Sequence, residues 1–104
     1  MARQIIWTES AWDDLERIAD SIALDSPYYA ATFVQRVRDK ARNLPVIPEA
    51  GAIVPEFDDV DIREVFEKSY RRIYHIGEET VSVLGLIHGA RDLAAKWDSD
   101  VRQP

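Results

Sequence analysis

Apolar residues recur along this chain with helical spacing first and strand-like spacing later, and the elements follow from that change. Gln4 to Trp7 is a short apolar run suited to a strand. Thr8 or Ser10 can cap the helix that follows, because either hydroxyl can accept a free backbone N–H of the first turn. In that helix Trp12, Leu15, Ile18, Ala19 and Ile22 recur at three and four residues and make one apolar face. Asp25-Ser26-Pro27 ends it and starts another, with Ser26 as cap and Pro27 at the first helical position. The second helix turns Ala30, Phe33, Val34, Val37, Ala41 and Leu44 inward, and Leu44-Pro45 ends it. So short a turn makes the two helices antiparallel neighbours.

Val46 to Val60 holds Pro48, Gly51 and Pro55 and reads as an ordered loop. Three strand-like runs follow: Asp61–Glu67, Tyr70–Ile76 and Thr80–His88, separated by segments short enough for hairpins. The last run, TVSVLGLIH, is nearly continuous in apolar residues and is expected to be the most central strand. Trp12 and Tyr74 are expected in the core. Ala90 to Gln103 is polar, and from about residue 92 to 104 it is expected as a tail or short helix. The whole is one α+β domain over 1–104. A strand, a helical hairpin and a three-strand antiparallel meander form two layers.

Composition narrows the class. A chain of 104 residues builds one core, and 46% hydrophobic residues are too many for a disordered one. Without cysteine there is no disulfide, thiolate nucleophile or cysteine–zinc site, and the cytoplasm is the natural compartment. MARQIIWTES lacks the apolar run of a signal peptide, and no stretch approaches a membrane span. The net charge of −6 opposes broad nucleic-acid binding. It is unevenly placed. Glu9, Asp13, Asp14, Glu16, Asp20 and Asp25 stand against Arg17 alone, whereas Arg36, Arg38, Lys40 and Arg42 stand against Asp39.

Chemistry-bearing residues gather in the second half. His88-Gly89-Ala90-Arg91 closes the last strand, where scaffolds commonly present functional groups. Its imidazole suits a general base and its guanidinium a phosphate. The alternative is that His88 caps the strand and Arg91 pairs with a carboxylate of the first helix. Arg71 and Arg72 must point to opposite faces of one strand. Each is either an ion-pair partner or, with Arg63, part of an anion site. Trp97 stands in a polar tail, where an indole either anchors a partner or packs onto its own domain. His75, between Tyr74 and Ile76, reads as structural. No phosphate loop, paired-histidine metal spacing or G-x-S-x-G is present, so neither metal nor cofactor is expected.

Taken in order, these residues resemble the RelE/ParE superfamily of toxins from bacterial type II toxin–antitoxin modules. The likeness runs from about Ile5 to Arg91. It rests on Trp7-Thr8 leading into Ala11, Asp14-Leu15 and Ile18, then Leu44, Pro48 and Gly51. Ile62-Arg63-Glu64, Tyr70-Arg71 with Ile73-Tyr74, Val83-Leu84 and His88-Gly89-Ala90-Arg91 complete it. The resemblance implies one of two activities. RelE-like members cut mRNA in the ribosomal A site; ParE-like members poison DNA gyrase by protein contact.

On the nuclease alternative Arg71, Arg91 and His88 would be catalytic. Yet the lysines of RelE-like enzymes fall here on Ile62 and Glu64, and their late tyrosine falls on about Trp97. With the acidic net charge, this favours the ParE-like reading, with no catalytic residues and with Arg63, Arg91 and Trp97 as target contacts. The family also implies a cognate ParD-like antitoxin with a ribbon-helix-helix N-terminus, through which alone DNA is touched. Its docking residues would be Tyr28, Phe33, Arg36, Arg38, Lys40 and Arg42.

Overall fold

The computed structural model describes residues 3–42, 47–67 and 69–89. β1 (Gln4–Trp7) leads into a helical hairpin of α1 (Glu9–Ala23) and α2 (Pro27–Ala41). β2 (Ala52–Ile53), β3 (Ile62–Glu67), β4 (Tyr70–Ile76) and β5 (Thr80–His88) follow. Thr8, not Ser10, caps α1: its hydroxyl accepts from the Ala11 N–H at 3.1 Å and donates to the Val83 carbonyl at 2.8 Å. One side chain thus starts the helix and fixes it to β5. Ser26 caps α2 by accepting from the Tyr29 N–H at 3.2 Å, with Pro27 in the first turn. The helix end expected at Leu44-Pro45 and the C-terminal tail lie outside the described residues.

The five strands form one sheet in the order β1-β5-β4-β3-β2. β1 pairs with β5 in parallel and every other pair is antiparallel. Two expectations change here. The middle strand is β4, not β5. β5 is nonetheless flanked on both sides, and Val81, Val83, Leu86 and Ile87 are buried, which accounts for its apolar run. The segment expected as a loop supplies a 3-10 turn at Pro48–Ala50 and the fifth strand, β2. Two residues are too few for alternation to announce a strand.

The hairpin covers one face of the sheet. Leu15, Phe33, Val37 and Leu86 form the core between them, with Trp7, Ile18, Ile22, Val34 and Tyr70 at its margin. Val54, Ile73 and Ile87 make a smaller cluster with Phe57, Ile62 and Leu84 on the opposite face. Trp12 is not in the core as expected. It is 42% exposed and stacks on Trp7 with ring centroids 4.8 Å apart. Asp14 is buried instead, and its Oδ2 accepts the Leu86 N–H at 3.0 Å. β1 stops at Trp7, opposite Val83, while β5 runs on to His88. A buried N–H beyond the end of its strand partner requires an acceptor, and α1 supplies one. His75, expected as structural, is exposed.

Tyr74 is buried as expected and does more than fill space. Its hydroxyl donates to the Pro48 carbonyl at 2.6 Å and accepts from the Gly51 N–H at 3.0 Å. Burial pushes this phenol up, so it keeps the proton that it donates. Gly51 is required by proximity. A Cβ there would overlap the Tyr74 hydroxyl and lie 2.8 Å from the Glu64 carbonyl. Tyr74→Phe strands two buried backbone groups and is expected to cost about 1–3 kcal/mol, read from the urea midpoint of unfolding.

Candidate functional site

The positions singled out by sequence fall into two regions, the arginine-bearing strands and the helical hairpin. On β4, Arg71 and Arg72 go to opposite faces and both are buried. Arg72 points to the helices, where its Nη1 donates to the Val37 carbonyl at 2.8 Å. Arg71 points to the other face and is 6% exposed. Its Nε donates to Glu64 Oε1 at 2.5 Å, and Nη1 and Nη2 grip both oxygens of Glu56 at 2.8 and 2.9 Å. The pairing raises the Arg71 pKa, chiefly through the bond to Glu56, and holds the Glu56 carboxyl below its ordinary value. Two carboxylates around one guanidinium leave a net negative centre. Such a centre repels a phosphate.

The other alternative catalytic residues do not meet it. The His88 ring lies edge-on to Tyr70, centroids 5.5 Å apart, and Tyr70 lies edge-on to Phe33 of α2 at 5.5 Å. His88 therefore stands on the helical side of the sheet, with Arg71 on the other. It lines a cleft of about 350 Å³ with Asp14, Arg17 and Tyr70 among others. Arg63 sits elsewhere again. Its Nε donates to the Val60 carbonyl at 2.8 Å, and its Nη1 to those of Gly51 at 3.0 Å and Glu49 at 3.3 Å. It braces the segment that carries β2. Arg91 and Trp97 lie outside the described residues. Among the described residues, no group of three or more His, Cys, Asp or Glu could hold a metal. No helix among them is long and apolar enough to cross a membrane.

The helical hairpin carries the open surface. A groove of about 410 Å³ is lined by Ile22, Tyr28, Tyr29, Thr32, Phe33 and Arg36. Tyr28 is 75% exposed and Tyr29 62%, with ring centroids 5.8 Å apart, and Phe33 forms a buried floor. Three of the proposed docking residues thus meet: Tyr28, Phe33 and Arg36. The four bases of α2 do not form one stripe. Arg36 and Lys40 are one turn apart on one flank, whereas Arg38 and Arg42 are another such pair about 200° around the helix. Arg42 Nη1 also pairs with Asp39 at 3.2 Å. Sequence reasoning placed Ile22 on the apolar face of the first helix and passed over Tyr29 and Thr32 as groove residues. The spacing Tyr29, Thr32, Phe33, Arg36 is the helical signal that marks them.

The family profile for the ParE toxin of the type II toxin–antitoxin system parDE matches residues 5–93. Among curated proteins nothing matches the sequence. The fold is shared with a chain of the chromosomal ParDE system from P. aeruginosa, at TM-score 0.70 and 21% identity, over 84% of this chain and 96% of that one. A mutant of the E. coli toxin RelE in the free state is similar at TM-score 0.66 and 16% identity, over 98% and 96%. The toxin–antitoxin complex RelBE2 from Mycobacterium tuberculosis gives TM-score 0.54 and 20% identity, over 85% and 99%.

The Arg71 cluster gives a direct expectation. Arg71→Ala leaves Glu64 buried without its partner and is expected to cost about 3–5 kcal/mol in chemical denaturation. Removing both buried charges in Arg71→Met/Glu64→Leu is expected to recover most of that loss. A loss under 1 kcal/mol for Arg71→Ala, on the scale of exposed ion pairs, would refute a structural role.

Proposed function

Because the chain belongs to the ParE toxin family of type II toxin–antitoxin systems, we propose that it is the toxin of such a module, inhibits DNA gyrase by protein contact and is silenced by a cognate antitoxin. The observation that carries this reading is the enclosure of Arg71 by Glu56 and Glu64, with His88 on the far side of the sheet. Ribonucleolytic cleavage needs cations that converge on a phosphate, together with a group that moves a proton. Here the matched arginine is spent on carboxylates, and the net charge of −6 opposes approach to RNA. Contact with a protein makes no such demand.

The antitoxin of this proposal is ParD-like, with a ribbon-helix-helix N-terminus that alone touches DNA. Its C-terminal segment folds on the toxin and fills the groove of Tyr28, Tyr29, Phe33 and Arg36. Tyrosines side by side give a large rigid contact at little entropic cost, and Arg36 at the rim suits an acidic segment. The relatives in P. aeruginosa and Mycobacterium tuberculosis come from toxin–antitoxin assemblies, which supports a partner of this kind. Arg63, Arg91 and Trp97 remain the proposed target contacts, and the cytoplasm is the proposed compartment.

Purified protein at micromolar concentration is expected to inhibit gyrase supercoiling, and its induction without antitoxin to trigger the DNA damage response. Arg36→Glu is expected to retain that inhibition while weakening antitoxin binding by about tenfold or more in titration calorimetry. Unchanged supercoiling would remove the gyrase reading, and codon-positioned cuts in translated messages would replace it with the nuclease one.

A further inference from the structure

Between β2 and β3 the chain crosses the face of the sheet that the helices leave open, and residues 54–61 lie over Ile73 and Ile87. The backbone of this segment is bonded partly to itself and partly to β3 and β4, with the Ile62 N–H donating to the Asp59 carbonyl at 3.0 Å. Phe57 and Asp58 both donate to the Val54 carbonyl at 3.2 Å, and the Asp61 N–H reaches Asp59 Oδ1 at 2.9 Å. Its backbone links to the sheet stand at the ends. The Val54 N–H donates to the Ile62 carbonyl at 3.2 Å, the Ile76 N–H to the Asp61 carbonyl at 2.8 Å, and Arg63 braces Val60. Between those ends the side chains of Glu56 and Phe57 hold the segment down.

The middle of this crossing is costly to keep in place. Asp58 adopts φ 49°, a left-handed conformation that is uncommon outside glycine, though aspartate enters it more readily than most side chains. Glu56, Asp58, Asp59 and Asp61 crowd like charges into a few residues, and Glu64 of β3 adds another beneath. Arg71 of β4 answers Glu56 directly, Arg63 of β3 braces the far end, and the exposed His75 of β4 shares the face. Ends tied to the sheet, a self-bonded middle and one bidentate ion pair describe a part that can move separately.

We propose that 54–61 is a strap that opens as a unit about its two ends, latched by the Glu56–Arg71 pair, and that opening uncovers the apolar face of Ile73 and Ile87. The sign of its pH dependence follows from the pair. Glu56 is held below its ordinary value by the bond to Arg71, so the latch is at full strength above the ordinary glutamate range of about 4–4.5. It is lost as the pH falls through and below that range.

Hydrogen exchange on the full chain tests the proposal, with rates corrected for intrinsic chemistry. At pH 7, Glu56→Gln is expected to exchange the 56–61 amides about tenfold faster than the wild type, with α1 and β5 unchanged. In the wild type the same amides should lose protection between pH 7 and 3.5, a step that Glu56→Gln lacks. Should Glu56→Gln fail to fold, the wild-type pH series alone decides. The proposal falls if 56–61 is equally protected in both proteins at pH 7, or if its amides and those of β5 accelerate together.

Discussion

Two consecutive arginines in the middle strand of a sheet are the constraint around which this domain is arranged. Alternation sends Arg71 and Arg72 to opposite faces, and both faces are covered at that point, so neither guanidinium reaches water. A buried charge without partners is far more costly than the packing it displaces. The fold meets the demand twice. On the helical side, Arg72 donates to the Val37 carbonyl and so ties α2 to the sheet. On the other side, Glu64 answers from the neighbouring strand and Glu56 from the segment that crosses the face. The bonds of this one dipeptide thus act beside apolar packing to fix α2 and 54–61 on the sheet.

A second imbalance explains the entry into the helical hairpin. β1 has four residues and β5 has nine, so part of the β5 edge is left without a strand beside it. Thr8 and Asp14 take the place of that strand, one donating to the Val83 carbonyl, the other accepting from the Leu86 N–H. Buried Asp14 shows how a polar residue enters an apolar helix face. Its neighbours Ala11 and Leu15 pack, and it caps the exposed edge between them. An edge closed by side chains is also protected from pairing with another chain.

What the sequence made legible follows the same physics. The helices, their caps and three strands announce themselves through period, hydroxyls and proline, because these are local properties. The two-residue β2 does not, since its pairing with β3 depends on the Tyr74 hydroxyl and Arg63, both distant in sequence. Trp12 was misleading for a related reason. Its spacing places it beside the apolar face, and only the short β1 decides that it stacks on Trp7 at the surface. In the candidate site, Tyr28, Phe33 and Arg36 were legible from α2 alone. The division of its bases into two flanks was equally present in the spacing. The partners of Arg71 were not, because Glu56 is fifteen residues away in a segment with no regular pattern.

Arg71 also shows how its neighbours set what a guanidinium can do. Its chemistry here is set by what stands nearby. Glu64 stands beside it on β3, and Glu56 completes the enclosure. A guanidinium that stabilises a transition state must keep donors free for charge that develops during reaction. One already bound in two parallel bonds to a carboxylate has its donors committed in the ground state. The exposed aromatic rings of Tyr28 and Tyr29 stand on α2, beside Arg36, away from this cluster.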